Sequence, residues 1–358
     1  MVFEYFFITD DDENRRLERI ARKFLKHLPL SLIHKSIRNG CIKINGEKKD
    51  ASYRVQKGDR LDIDKTLVPL LQHGSVSDSA CFSADAPHTL FTDIFINEHI
   101  RIVNKAYGVP VQGGNPRIPC ADERIKKEYA ENSVQNSQHS LSFVPGPLHR
   151  LDRRTTGLLV FSQSLSGARW FSKALAEHRI QKKYITVLEG RLTQNSIWEH
   201  YIEKHTAKNS RAGFNTVTVH GTKGTNGDCS TDMRGSMSKN RAQTEVHPLA
   251  YGMFGKKELT LVSVGIQTGK MHQIRSQAAF CGYPLLGDTA YGASFFSFPD
   301  SAGQRLFLHA YTLGFEKDNP LGLPPKISAP LPPFFRQFIE KYLPAFKLST
   351  YTDTDEIY

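Results

Sequence analysis

Residues 145–164, "PGPLHRLDRRTTGLLVFSQS", decide how the larger part of the chain folds. The stretch opens with a Pro-Gly-Pro turn and ends in "GLLVF", a short apolar run typical of a strand buried on both faces. Between the turn and the run lies one carboxylate, Asp152, among Arg150, Arg153 and Arg154. Nearby guanidinium groups favour the ionised form of a carboxylic acid. The pattern therefore predicts a charged aspartate on a loop directly ahead of a buried strand.

The residues alone leave two roles open for Asp152. An ionised aspartate can act as a nucleophile or general base, and it can equally tie a loop in place through a bidentate arginine pair. No second acid stands beside it in a comparable motif, which disfavours a two-carboxylate hydrolase. The five cysteines form no CxxC pair, so the sequence predicts neither a metal site nor a disulfide framework. We therefore expect any chemistry at Asp152 to proceed without a metal.

The segments that follow mix helices and strands. Residues 166–180 have the apolar spacing of a helix, and residues 182–192, "KKYITVLEGRL", have the composition of a strand. Residues 258–292 predict a strand, a tight Thr-Gly turn and a helix that holds His272 and Arg275. Because these elements show no regular βαβ alternation, an α+β fold is expected rather than a doubly wound sheet.

Excess positive charge is concentrated near the N-terminus. The 358 residues suggest two domains, and the formal net charge is +11. Residues 14–65 carry 15 Lys and Arg against 6 Asp and Glu, which is +9 of that total. A basic module favours an anionic partner, and nucleic acid is the first candidate. No apolar run is long enough to span a bilayer and no signal peptide is evident, so a cytoplasmic protein without a membrane partner is expected.

The basic module is predicted to contain two helices followed by two strands. Apolar residues at helical spacing indicate a first helix that Pro29 ends, and a second helix that Ser31 caps and Gly40 closes. "CIKINGEKK" and "YRVQKGDRLDI" then predict strands and turns. Basic side chains lie on the outward faces of these elements. Those expected to contact RNA are Arg19, Arg22, Lys23, Lys26, Lys35, Arg38, Lys43, Lys48 and Lys49.

Composition sets the expected boundaries between the parts of the chain. The segment 66–91 loses periodicity and gains Ser, Ala and Pro, as linkers do. A catalytic domain is predicted over 92–345, followed by a tail at 346–358. Within this domain, 205–240 is rich in Gly, Ser, Thr and Asn and is expected to be a flexible surface insertion. A long loop with one short helix is predicted over 114–146.

The module over residues 14–65 resembles the S4 RNA-binding domain. The shared pattern is a helix, a second basic helix, then "G-x-I-x-I-N-G" and "V-x-x-G-D-x-L-x-I", and it covers nearly the whole segment. Glu18 stands where that family usually has aspartate. The resemblance implies a small helix and hairpin module that binds RNA.

The larger region resembles the RluA-type pseudouridine synthases over about residues 91–345. "LHRLDRRTTGLLVFSQS" is similar to their signature H-R-L-D followed by T-S-G-L-L, and "QKKYITVLEG" to their lysine-x-tyrosine motif. "IQTGKMHQIRSQAAFCGYPLLGDTAYG" is similar to T-G-R-x-H-Q-I-R followed by G-D-x-x-Y-G, while "RLFLHAYTLGF" and "ISAPLPPFF" resemble the closing segments. Lys270 replaces the usual arginine and Thr156 the usual serine. The resemblance implies a central mixed, largely antiparallel sheet flanked by helices.

The same resemblance implies roles for individual residues. Asp152 would be the nucleophile, Tyr184 would stack on the target uracil, and Arg275 would pair with the aspartate. Arg150 would fill the gap left by the extruded nucleotide. Further substrate contacts are expected from His149, Lys270 and His272.

The implied reaction is the isomerisation of specific uridines to pseudouridine in RNA, most naturally 23S ribosomal RNA. It adds no atoms and needs no cofactor. The expected partner is large-subunit ribosomal RNA, free or in an assembling subunit, and the expected state is a monomer. Two other functions stay open: a catalytically inactive RNA-binding ribosome-assembly factor, and an RNA N-glycosidase. A methyltransferase is disfavoured because no glycine-rich cofactor loop follows a strand.

Overall fold

Eight stretches of the chain are described by the computed structural model. They are residues 2–68, 89–113, 118–135, 140, 143–205, 216–221, 240–294 and 305–347. Most of the predicted linker at 66–91 lies outside the described residues, as does the tail beyond residue 347. Within the predicted insertion at 205–240, the structure describes 216–221 and the two end residues.

The N-terminal region is a small sheet packed against two helices. In chain order its elements are β1 (Phe3–Phe7), α1 (Leu17–Phe24), α2 (Leu30–Asn39), β2 (Ile42–Ile44) and β3 (Arg60–Asp64). The strands are antiparallel in the order β1-β3-β2, so the sheet includes a strand ahead of residue 14. The region has its own core, built from Leu17, Ile20, Ala21, Leu25, Ile33, Ile37, Ile42, Ile44, Leu61 and Ile63.

The start of α2 differs from the prediction, whereas its end does not. The predicted cap at Ser31 is wrong: Pro29 is the N-cap residue, and no side chain caps the helix. Proline suits this entry because its ring fixes φ near the helical value. Gly40 closes the helix with φ of 77°, as predicted. The Asn45-Gly46 turn that follows has positive φ at both residues, as tight hairpin turns require.

The larger region contains ten of the described strands and four helices. The first part comprises β4 (Phe91–Ile96), β5 (Ile100–Lys105), α3 (Ala121–Gln135), β6 (Thr156–Ser162), α4 (Leu165–Ala176), β7 (Gln181–Glu189) and β8 (Ser196–His205). The second part comprises β9 (Thr216–Gly221), β10 (Arg241–Phe254), β11 (Lys257–Ile266), α5 (Gln273–Phe280), β12 (Leu308–Gly314), β13 (Lys326–Ser328) and α6 (Pro333–Tyr342).

These strands form one mixed sheet in the order β4-β5-β6-β12-β7-β11-β10-β8-β9, with β13 on β12. Among the described residues, β6 and β12 are parallel and the other pairs are antiparallel. The α+β class predicted from the sequence is confirmed. The short helix predicted within 114–146 is instead the 15-residue α3, whose first half is rich in strong helix formers such as Ala, Glu and Lys.

The centre of the sheet carries the loop that holds Asp152. Every residue of β6 is buried, as the apolar run predicts. Gly157, at the start of β6, has φ of 106°, and a Cβ atom there would collide with the backbone of Ala310 on β12. Glycine at this position therefore lets β6 and β12 approach each other directly behind that loop.

Candidate active site

A buried lysine at the end of β5 holds the Asp152 loop in place. Lys105 Nζ donates to the carbonyl oxygens of Ala106, Val109 and Arg153 at 3.0, 2.9 and 3.2 Å. Gly108 and Arg153 add two reciprocal hydrogen bonds, at 3.0 Å from the Gly108 amide and 2.8 Å from the Arg153 side chain. Burial lowers the pKa of Lys105 to about 7. Arg153, the residue after Asp152, is thus hydrogen-bonded to the end of β5 and to the loop that follows it.

Arg275, on the first turn of α5, connects Asp152 to a second, fully buried carboxylate. Its Nη1 donates to Asp152 Oδ2 at 3.2 Å. Its Nε and Nη2 donate to the two oxygens of Asp288 at 2.6 and 2.8 Å, and Asp288 is 0% exposed. A bidentate pair fixes the plane of a guanidinium group. Burial opposes the charged form, but Asp288 and Asp152 outweigh it and raise the pKa of Arg275 above its ordinary value.

His272 also lies beside Asp152. Its Nε2 lies 3.6 Å from Asp152 Oδ2, and its Nδ1 lies 2.8 Å from the Tyr291 hydroxyl. Burial lowers the pKa of His272, with Asp152 opposing that shift. His272 was predicted to lie within a helix, but it is the residue just before α5 and has φ of 53°. The left-handed backbone turns its ring towards the aspartate.

Tyr184 and the Asp152–Arg275 pair line the same cavity. Tyr184 lies on β7 and is 8% exposed. Burial, with a smaller contribution from Asp152, raises the pKa of Tyr184 above its ordinary value, so the phenol is protonated at neutral pH. Arg150 and Lys270 lie on the rim of this cavity. The structure thus brings six predicted residues into one cleft, namely Arg150, Asp152, Tyr184, Lys270, His272 and Arg275.

His149 faces the protein interior. The Val160 amide on β6 donates to its Nε2 at 3.1 Å, and the ring stacks on Phe171 at 6.3 Å. Burial lowers the pKa of His149 to about 4, so the ring is a neutral acceptor at pH 7. This contact ties the loop to β6, and the predicted contact of His149 with substrate stays a prediction.

The arginines next to Asp152 in sequence have other partners. Arg153 donates to the Gly108 carbonyl at 2.8 Å, and Arg154 donates to the Tyr107 hydroxyl at 2.9 Å. The ion pair described for Asp152 joins it to Arg275 instead, and the His272 ring lies beside the same carboxylate oxygen. The expectation that the arginines next to Asp152 in sequence keep this acid charged stays a prediction.

Three contributing residues were missed by sequence reasoning. Asp288 and Tyr291 lie in the "GDTAYG" stretch. An acid beside a glycine turn was the sequence feature that could have indicated a site residue there. Lys105 ends the apolar run "IRIV" followed by "NK", and nothing in that pattern marks a lysine as buried.

The basic residues predicted to bind RNA are mostly accessible in the N-terminal region. Lys43 and Lys49 are half-buried: Lys43 lies 4.7 Å from the centre of the Phe3 ring, and Lys49 pairs with Glu47 at 2.8 Å. The remaining seven are exposed, namely Arg19, Arg22, Lys23, Lys26, Lys35, Arg38 and Lys48. No helix in the described part of the chain is long and apolar enough to cross a membrane.

Comparison with protein families identifies the class to which this fold and cleft belong. The family model described as RNA pseudouridylate synthase matches residues 99–280, the segment with Asp152, Tyr184 and Arg275. The match spans half of the chain, and the protein belongs to the RNA pseudouridylate synthase family. The predicted resemblance to pseudouridine synthases is confirmed.

Individual relatives share most of the chain. The Escherichia coli O6:H1 protein named ribosomal large subunit pseudouridine synthase C is 27% identical over 342 residues, 93% of this chain and 95% of the relative. The protein of the same name from Buchnera aphidicola is 26% identical over 340 residues, with the same coverage. Among solved structures, human RNA pseudouridylate synthase domain containing 4 is similar in fold, with a TM-score of 0.51 and 20% identity. That similarity covers 70% of this chain and 92% of the human chain.

Proposed function

We propose that the protein converts specific uridines of large-subunit ribosomal RNA into pseudouridine. Support comes from the family, from relatives named for the large ribosomal subunit, and from the basic N-terminal region. We further propose that it acts as a cytoplasmic monomer, on free ribosomal RNA or on an assembling subunit. The N-terminal region would serve as an S4-like RNA-binding module, joined through the segment 66–91 to a catalytic domain over 92–345.

The reaction breaks the N1–C1′ bond of uridine, rotates the base, and joins C5 to C1′. The C5 proton is then lost and N1 gains a proton, so product and substrate are isomers and no cofactor is consumed. Asp152, ionised beside Arg275, would supply the electron pair. It would attack either C6 of the base or C1′ of the ribose, or remove a sugar proton.

The target uridine must leave its stack before Asp152 can reach it. Unstacking costs a few kcal/mol and is least costly in loops. Stacking on an aromatic ring returns roughly 1–3 kcal/mol per base, and Tyr184 faces the cleft for this purpose. Arg150, exposed at the rim, would support the bases on either side of the gap. His272 and Lys270 would contact the flipped nucleotide from the opposite edge of the cleft.

The single observation that carries this proposal is the 3.2 Å contact between Asp152 and Arg275 in a cleft shared with Tyr184. The experiment measures tritium release from ribosomal RNA labelled at uridine C5, with the wild type and Asp152→Asn. We expect release and pseudouridine with the wild type only. Free uracil among the products would indicate an N-glycosidase. Tight RNA binding without release by the wild type would indicate an inactive assembly factor.

A further inference from the structure

A second cavity adjoins the cleft that holds Asp152. It encloses about 330 Å³ between the end of α4, the start of β7, the loop after β11 and the loop ahead of β6. Arg150, Tyr184 and Lys270 line both cavities, so the two spaces are neighbours. His178 closes one side, where its Nδ1 lies 2.9 Å from the Gln267 carbonyl oxygen. The second cavity therefore lies directly beside the cleft that holds Asp152.

The charges around this second cavity have one sign. Arg150, Lys182 and Lys270 contribute three cationic side chains, and none of the described residues that line it is Asp or Glu. A concave site lined by cations alone raises the local concentration of anions.

Lys182 is the distinctive member of this set. It lies on β7 two residues before Tyr184 and is 8% exposed. Its ammonium group has no hydrogen bond or ion pair within the described part of the chain. Burial lowers the pKa of Lys182 to about 8, and no carboxylate opposes that shift. A buried cation without a partner is costly, so its presence calls for a binding role.

Lys105 shows what a structural buried lysine looks like in the same protein. Its ammonium group is satisfied by three backbone carbonyl oxygens. Lys182 instead lines the second cavity beside the turn after β11. A Cβ atom built on Gly269 of that turn would lie 4.0 Å from its Nζ, so the ammonium group lies next to the backbone of the turn.

We infer that Lys182, together with Arg150 and Lys270, binds a phosphate group of the RNA backbone next to the flipped uridine. This inference rests on the proposed function and names a contact within it. A phosphodiester brings one negative charge and several acceptor oxygens, which complement a cavity lined by three cationic side chains. The same chemistry would accept free inorganic phosphate, so the two sources are separated by experiment.

The first experiment compares Lys182→Met with Lys182→Arg, and uses Lys173→Met as the matched control. Lys173 is an exposed lysine on α4, 3.9 Å from Glu177. We expect Lys182→Met to raise KM for ribosomal RNA by about 10-fold or more, the value of one charge-assisted hydrogen bond, and to change kcat little. The slope of log K against log salt should fall by about 1. Lys182→Arg should recover most of the affinity, and Lys173→Met should behave as the wild type.

Thermal unfolding separates a binding role from a structural one. Removing an unpaired buried cation should leave the melting temperature of Lys182→Met equal to or above that of the wild type. A lower melting temperature together with an unchanged KM would overturn the inference. In that case Lys182 would only support the fold.

The second experiment locates the phosphate. Short ribosomal RNA substrates carry a neutral methylphosphonate at one position at a time on either side of the target uridine. At one position the methylphosphonate should weaken binding to the wild type. At that same position it should not weaken binding to Lys182→Met any further, because this variant already lacks the contact. Additive losses at every position would overturn the assignment.

Inorganic phosphate is titrated in parallel and followed by NMR shifts. Binding to the wild type but not to Lys182→Met, with no methylphosphonate effect, would assign the site to free phosphate and overturn the RNA contact. If no pseudouridine forms at all, the proposed function fails, and this titration still tests the anion site separately.

Discussion

At the scale of single residues, Asp288 determines how Arg275 meets Asp152. The Asp288 carboxylate accepts from Nε and Nη2 along one edge of the guanidinium group and leaves Nη1 for Asp152. Asp288 touches no open part of that cleft, since it is fully buried. It is therefore a positioning residue whose loss should act through Arg275.

Replacing Asp288 with asparagine should impair both stability and turnover. The asparagine amide group would place a hydrogen-bond donor against the Arg275 guanidinium group, which is itself a donor. Removing one partner of a buried ion pair costs about 3–5 kcal/mol. Misplacement of a reacting group by about 1 Å lowers kcat by on the order of 100-fold. Thermal melting and tritium release measure the two effects, with the exposed Asp318→Asn as control. Wild-type kcat in a folded Asp288→Asn protein would contradict this role.

Buried His309 makes the stability of the protein depend on pH. Its Nδ1 lies 2.8 Å from the Thr156 hydroxyl and its Nε2 lies 3.2 Å from the Ala329 carbonyl oxygen, which suits a neutral ring that donates from Nε2. Burial, partly offset by that carbonyl, lowers the pKa of His309 to about 4 from 6.5. Between these values the unfolded chain binds more protons than the folded one, so stability is lost as pH falls from about 6.5 to 4.

The free energy of unfolding should therefore fall on acidification, by up to about 3 kcal/mol for this histidine. His309→Gln keeps one donor and one acceptor without titrating, so its stability should vary less over the same interval. Urea unfolding at pH 4.5, 5.5 and 6.5 measures the difference. Parallel curves for the two proteins would exclude His309 as a source of the pH dependence.

The sequence indicates residues that a motif carries, whereas it does not indicate partners that meet only through space. Asp152, Tyr184 and Arg275 were selected from local patterns and lie in one cleft. Asp288 and Lys105 meet their partners only after folding: Lys105 bonds a carbonyl 48 residues away. Residues next to each other in sequence can also have different partners, because successive side chains on a loop point in different directions. Arg153 binds the Gly108 carbonyl and Arg154 binds the Tyr107 hydroxyl.

At the scale of elements, the junction of β6 and β12 supports the Asp152 loop. These strands run parallel and are joined at residues 156–157 and 309–310. The buried character of β6 was evident from its apolar run. The helix α4 and the strand β7 were evident from the pattern of their residues. The neighbour of β6 was not evident, because a pairing across about 150 residues leaves no local trace in one sequence.

Gly157→Ala should disrupt this junction. The residue has φ of 106°, and an added Cβ would strike the backbone of Ala310. Strain of this kind costs of order 1–3 kcal/mol before the collision is counted, so we expect a loss of at least about 2 kcal/mol. Gly146→Ala is the control, since nothing lies within 4 Å of its Cβ position. Equal melting temperatures for the two variants would contradict the proposed packing.

At the scale of the whole molecule, charge and chemistry are carried by different regions. The N-terminal 14–65 segment holds +9 of the net +11, whereas the cleft with Asp152 lies on the large sheet. This division was visible in the sequence because net charge needs no knowledge of contacts. The first strand of the small sheet was not visible in the sequence, because β1 lies outside the basic segment and joins the sheet by pairing with β3.

The division predicts separable effects on binding and turnover. Arg19, Arg22 and Lys26 are exposed on or just after α1, and replacing all three with glutamine should weaken RNA binding while the cleft is unchanged. For every cation that no longer binds a phosphate, the slope of log K against log salt should fall by about 1. KM for full ribosomal RNA should therefore rise steeply, and kcat on a short saturating substrate should stay at the wild-type value.

The matched control replaces three exposed basic residues of the larger region, Arg169, Lys173 and Lys317, with glutamine. Both variants lose the same formal charge, so a general electrostatic effect would weaken RNA binding equally in the two. A larger loss from the N-terminal variant is expected, because its three cations belong to the concentrated basic segment that resembles an RNA-binding module. Filter binding across a salt series gives both slopes. Identical slopes would mean that the N-terminal region contributes charge to the molecule but no specific RNA surface.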